Sequence, residues 1–127
     1  MKYLIDAHAW IEYLEGSTQV KKVKEIFEGS HEVLVLTLTM AEVVSKFTRK
    51  GYDPTVAWVA MAANAVPVEL SARQAKEAGK THAEIRKKIP NFGLVDAILL
   101  TIARDLKAKV VTGDTHFKGF KETVFLN

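Results

Sequence analysis

Apolar positions in this chain follow two rhythms. Short continuous apolar runs of strand length alternate with longer stretches where apolar residues recur every three or four positions, as on one helix face. Tyr3-Leu4-Ile5 forms the first run and ends on a carboxylate, Asp6. Residues 8–15 read as a short helix stopped by Gly16. Ser17 reads as the cap of a second helix with the stripe Val20, Val23, Ile26 and Phe27, closed by Gly29. Val33-Leu34-Val35-Leu36 has the unbroken apolar pattern of a buried parallel strand. The spacing predicts a third helix over 40–50, with Thr39-Met40-Ala41-Glu42 as its capping box. Asp53-Pro54 opens a fourth helix that runs through Trp58 and Met61 to Asn64. Val66-Pro67-Val68-Glu69-Leu70 is strand-like, and its proline favours a sheet edge. Ser71 and Gln74 have capping-box spacing and begin a long helix that fades near Pro90. Residues 94–107 are apolar almost all round, as in a helix covered on several sides. Residues 109–112 and 123–126 are the last two strand patterns.

Strands alternating with helices predict an α/β fold with a mostly parallel sheet of about five strands, covered on both faces. No linker, low-complexity segment or internal repeat interrupts the pattern, so residues 1–127 read as a single domain. In such sheets ligands bind beyond the carboxyl ends of the strands, where the strand order reverses.

Composition narrows the chemistry. With 127 residues, 48% hydrophobic and 26% charged, the chain has the balance of a globular domain able to fold without staples. The absence of cysteine excludes disulfides, thiolate metal sites and a cysteine nucleophile. No apolar run reaches the length of a membrane span, and Asp6 comes too early for a secretory signal, so the expectation is a cytoplasmic protein without a membrane partner. Eighteen basic residues against fifteen acidic ones give a net charge of +3, which permits an anionic partner without demanding one.

Four acids fall on the predicted rim. Asp6 ends the first strand, Glu42 follows the second, Asp96 lies in the first turn of the apolar helix, and Asp114 follows the strand ending at Thr112. Each has a plain structural account as a cap or a first-turn acid. As a set they are harder to explain that way. Asp6 and Asp96 sit within apolar runs, where an unpaired carboxylate is costly, and converging carboxylates repel. A divalent cation resolves both problems, and an all-oxygen donor set suits Mg²⁺ or Mn²⁺.

The segments Tyr3-Leu4-Ile5-Asp6-Ala7-His8-Ala9-Trp10-Ile11, Leu94-Val95-Asp96-Ala97 and Thr112-Gly113-Asp114-Thr115-His116-Phe117, with Glu42 between them, resemble a PIN-domain nuclease. They are most similar to the VapC-like toxins of VapBC-type toxin–antitoxin pairs, and the resemblance spans essentially the whole chain. It implies a three-layer fold with strand order 3-2-1-4-5 and a metal-dependent endoribonuclease. It implies metal-ligand roles for Asp6, Glu42 and Asp96, with Asp114 as a fourth acid and Thr112 orienting that acid or a water. Its implied partners are RNA, an antitoxin protein and a second copy of the chain in a homodimer. Ala7 and His116 depart from the family pattern, standing where many relatives carry threonine and some carry a further acid.

Lys46, Arg49 and Lys50 share the Glu42 helix, and Arg86-Lys87-Lys88 precede the Asp96 segment. Both groups could guide a phosphate backbone, and both fit solvated helix ends. His8 and His116 lie near the rim, where ordinary packing competes with phosphate contact as an explanation. Trp10, Tyr13, Trp58 and Met61 are assigned to core packing rather than base stacking. Two other readings compete with the ribonuclease: a non-catalytic RNA- or protein-binding module, and a phosphohydrolase on an α/β fold. The second wants an acid two residues after Asp6, where His8 stands.

Overall fold

The computed structural model describes residues 1–18 and 20–126. In chain order the elements are β1 (Lys2–Ile5), α1 (Ala7–Glu15), α2 (Val20–Glu28), β2 (Glu32–Leu36), α3 (Thr37–Arg49), α4 (Pro54–Asn64), β3 (Val66–Val68), α5 (Ala72–Arg86), α6 (Leu94–Leu106), β4 (Lys109–Thr112) and β5 (Thr123–Phe125). The five strands form one parallel sheet in the order β3-β2-β1-β4-β5, as the family resemblance implied. β1 is central, and its Leu4 pairs in register with Leu34 of β2 and Val110 of β4. The strand containing Pro67 lies at the edge, where a missing N–H costs the sheet least.

Side chains alternate across each strand and thereby divide the core into two layers. Ile5, Val33, Val35 and Val111 pack with α1 to α4, around Trp10, Met40, Val43, Phe47 and Met61. Leu4, Leu34, Leu36 and Val110 pack on the opposite face with α5 and α6, around Phe92, Leu99, Ile102 and Phe117. The unbroken apolar strand patterns follow from this double burial. Trp10 and Tyr13 of α1 close over Phe27 of α2, with ring centroids 5.1 and 4.9 Å away. Asp53 and Ser71 cap α4 and α5 as predicted, and Ser71 and Gln74 complete a capping box.

Two local expectations are corrected. α3 starts at Thr37, directly after β2, and Leu36 occupies its cap position with no side-chain hydrogen bond. The Thr39–Glu42 capping box therefore does not form, and Glu42 lies in the second turn. The apolar stripe explains the early start: Met40, Val43 and Phe47 recur at helical spacing and are buried on one face of the sheet, so tertiary packing draws the helix back to the end of the strand at Leu36, which packs on the other face. The second correction is Trp58. Trp10 and Met61 are fully buried, whereas Trp58 is 51% exposed, beside exposed Val56 and Val59 on α4.

Thr39 offers a direct test of this local structure. Its hydroxyl is fully buried and, among the described residues, has no hydrogen-bond partner. Thr39→Val should leave stability unchanged or raise it by about 1 kcal/mol, because an unpaired buried hydroxyl is replaced by a methyl group. Urea unfolding measures this, and a loss of about 1 kcal/mol would instead indicate a cap.

Candidate active site

The carboxyl edge of the sheet is built from strand ends and helix starts. Asp6 follows β1 and caps α1; its Oδ1 accepts the Ala9 amide hydrogen at 2.8 Å. It is only 5% exposed. Thr112, the last residue of β4, is fully buried and joins two of the acids. Its hydroxyl donates to the Asp6 carboxylate, and its Oγ1 accepts the Asp114 amide hydrogen at 2.9 Å. Asp114 then caps a single 3₁₀ turn, Thr115–Phe117, by accepting the His116 amide hydrogen at 2.9 Å.

Asp96 comes from the other side of the site. It lies in the first turn of α6 and accepts the Gly93 amide hydrogen at 3.2 Å. A Cβ at Gly93 would sit 3.2 Å from the same carboxylate oxygen, so glycine permits the close approach. The loop before it is held by α5: His82 Nε2 lies 3.0 Å from the Phe92 carbonyl oxygen. Glu42 projects from α3 into a cleft of about 500 Å³ that is also lined by Ala7, His8, Ile11, Ser45, Lys46 and Arg49.

All four acids converge. Asp96 is the common member, electrostatically coupled to Asp6, Glu42 and Asp114. Ligand atoms of Asp96, Asp114 and His116 lie within 4.8 Å of one another. The carboxyl of Asp6 is pushed up to about 7, first by burial and only then by the charges of Asp96 and Asp114; the Thr112 and Ala9 hydrogen bonds oppose the rise. Glu42 and Asp96 are also raised, each chiefly by burial, with Asp96 acting on Glu42 and Asp114 acting on Asp96. Desolvation therefore outweighs like-charge repulsion, the cause that the sequence argument put first.

Lys46 and Arg49 line the cleft beside Glu42, whereas Arg86 is exposed at the end of α5 and does not line it. His116 joins the acids instead of standing apart from them. Sequence reasoning did not find the role of His82, which packs through a carbonyl ten residues away in sequence and leaves no spacing signal. Nor did it find that the His8 ring lies against Gly113, where any Cβ would overlap it.

The donor set fits a divalent cation. Among the described residues, no lysine or arginine forms an ion pair with Asp6, Glu42, Asp96 or Asp114. Hard oxygen donors gathered without a lysine or arginine partner, with Asp6, Glu42 and Asp96 raised in proton affinity, are the environment that such a cation neutralises.

The buried acid has a consequence for stability. The Asp6 carboxyl is raised on folding from 3.8 to about 7. Its contribution is fully present below 3.8 and is lost as pH rises through the folded value, because the unfolded chain gives up the proton first. In EDTA, stability should fall between about pH 4 and pH 7, by about 4 kcal/mol from this residue. Asp6→Asn should flatten that fall and raise the melting temperature at pH 8 more than at pH 5. Calorimetry across this range would show parallel curves for the two proteins if Asp6 were not the responsible group.

Comparison with known proteins follows the same lines. A family model of the PIN domain matches residues 3–122. No curated protein sequence matches the chain. Among solved structures, VapBC2 from Rickettsia felis, bound to a DNA fragment from its promoter, has a TM-score of 0.77 at 18% identity, covering 100% of this chain and 98% of that one. DNA-bound VapBC from Salmonella typhimurium has a TM-score of 0.74 at 15% identity, covering 98% and 96%. Mycobacterium tuberculosis VapC20, a toxin that cleaves the sarcin–ricin loop, has a TM-score of 0.70 at 16% identity, covering 94% and 97%. At these identities the structural likeness speaks for the fold. Together with the family match over nearly the whole sequence, it establishes that the chain belongs to the PIN domain family.

Proposed function

We propose that this protein is a Mg²⁺- or Mn²⁺-dependent endoribonuclease and the toxin of a VapBC-type toxin–antitoxin pair. The observation that carries the reading is the gathering of Asp6, Glu42, Asp96 and Asp114, without a lysine or arginine partner among the described residues, beside a cleft lined by Glu42, Lys46 and Arg49. The solved structures add support: one is described as a sarcin–ricin loop cleaving toxin, and two others are DNA-bound VapBC. The cytoplasm is the proposed site of action. Among the described residues, no helix is long and apolar enough to cross a membrane.

In this reading the four acids hold the ion, which when bound neutralises phosphate charge and makes water a better nucleophile at neutral pH. Thr112 keeps Asp6 and the Asp114 turn in register with each other. Glu42 opens into the cleft, where it would help to hold the ion and position the attacking water. Water oxygen bonds to phosphorus and gives up a proton to solvent as the bond to the leaving oxygen breaks, and the leaving oxygen takes up a proton from solvent. Lys46 and Arg49 anchor neighbouring phosphates along the cleft wall.

Asp6→Asn keeps the shape of the side chain and removes one charge. Cleavage of total RNA with Mn²⁺ should fall by at least about a hundredfold. Equal cleavage by wild type and variant would refute the site, and no cleavage by either would favour the non-catalytic binding module.

A homodimer is part of the proposal, supported by exposed Val56, Trp58 and Val59 on α4. Wild type should sediment as a dimer at micromolar concentration, and Trp58→Glu should shift it towards monomer. A monomeric wild type would remove the dimer from the proposal.

A further inference from the structure

We propose that His116 is a metal ligand, forming with Asp96 and Asp114 a mixed nitrogen–oxygen position that favours Mn²⁺ and Co²⁺ over Mg²⁺. The inference rests on the metal-dependent reading above and deepens it. It replaces a phosphate contact, the role that the sequence offered for this residue.

Geometry comes first. The ligand atoms of the three residues lie within 4.8 Å of one another. On a small octahedral ion neighbouring ligands stand about 3 Å apart and opposite ones about 4.2 Å, so one pair of the trio can span the ion while the third donor draws in beside it. His116 Nδ1 is 3.4 Å from Asp114 Oδ1, and the imidazole side chain is 35% exposed, so an ion can reach it.

The three donors are also held at fixed separation. Asp114 is pinned by its amide bond to Thr112 Oγ1 and by accepting the His116 amide hydrogen. Phe117, the next residue after His116, is fully buried with its ring 5.6 Å from that of Phe92. Phe92 immediately precedes Gly93, whose amide orients Asp96. This aromatic contact locks the turn carrying His116 to the loop presenting Asp96. A surface histidine that arrived at the acids by chance would have no such support.

Donor chemistry then sets the preference. Imidazole is a borderline donor that binds later first-row ions better than Mg²⁺, which prefers oxygen. A carboxylate at this position would add a negative charge and a hard oxygen. The neutral ring supplies neither, so Mg²⁺ gains less from it than Mn²⁺ or Co²⁺ does. The competing account is a protonated His116 paired with Asp114, which needs no metal.

The test uses the full chain and direct binding. Wild type, His116→Asn and His116→Asp are titrated calorimetrically with Mg²⁺, Mn²⁺ and Co²⁺, and the histidine ring resonances are followed by NMR as Co²⁺ is added. The expected result is that His116→Asn weakens Co²⁺ and Mn²⁺ binding by at least about tenfold while changing Mg²⁺ by less than about threefold. His116→Asp should bind Mg²⁺ more tightly than wild type without recovering the preference for Co²⁺. Wild-type His116 ring signals that ignore Co²⁺, or an unaltered metal preference in His116→Asn, would overturn the proposal. If a variant is poorly folded, the wild-type NMR titration decides alone. Mg²⁺-supported cleavage alongside an unaltered preference would defeat this inference and leave the nuclease reading standing. Wild type that binds none of the three ions would defeat both.

Discussion

Burial of the Asp6 carboxylate organises this end of the molecule. It sits where the central strand ends, the first helix begins and the neighbouring strand delivers Thr112. An acid so enclosed carries a desolvation cost, seen in its pKa of about 7. Only two fixed donors, the Ala9 amide and the Thr112 hydroxyl, work against that cost. One donor is fixed by the first turn of α1 and the other by the end of β4. Thr112 extends the constraint outward, because its one oxygen also holds the start of the Asp114 turn.

The other acids reach Asp6 from opposite layers. Glu42 rides on α3, which packs on one face of the sheet, and Asp96 rides on α6, which packs on the other. Asp6 and Asp114 come from strand ends between them. Residues about ninety positions apart can meet here because parallel crossovers return every strand to the same edge. Asp6 and Asp96 also lie at helix starts, whose positive dipole ends partly offset their charge.

Charge is distributed unevenly across the site. Of the four acids Glu42 lines the cleft, with Lys46 and Arg49 one and two turns beyond it on α3, while Asp6, Asp96 and Asp114 belong to the neighbouring sheet edge. Such separation keeps the basic groups from quenching the acids and leaves both free for ligands of opposite sign. His8 and His82 help to shape the edge by packing: one ring lies against Gly113, and the other holds the Phe92 carbonyl.

Most of the architecture was legible in the sequence. Continuous apolar runs marked doubly buried strands, helical stripes marked the layers, and Pro67 marked an edge. Asp6, Asp96 and Asp114 are legible because each ends or begins an element and the order of elements places those points together, whereas Glu42 lies in the second turn of α3 and has no such positional signal. What the pattern could not supply was anything decided by competition between distant groups. The start of α3 was misjudged because a local capping signal at Thr39 lost to the buried stripe of Met40, Val43 and Phe47. Trp58 was assigned to the core because residue type favours burial, yet α4 has only one face to bury and Ala57 and Met61 fill it. The leading cause of the raised acid pKa values, the nearness of His116 to Asp96 and the clamp of His82 on Phe92 depend on distances across the chain. Local periodicity determines which face of an element is apolar, whereas side-chain separations of a few ångströms are set only when the two layers close on the sheet.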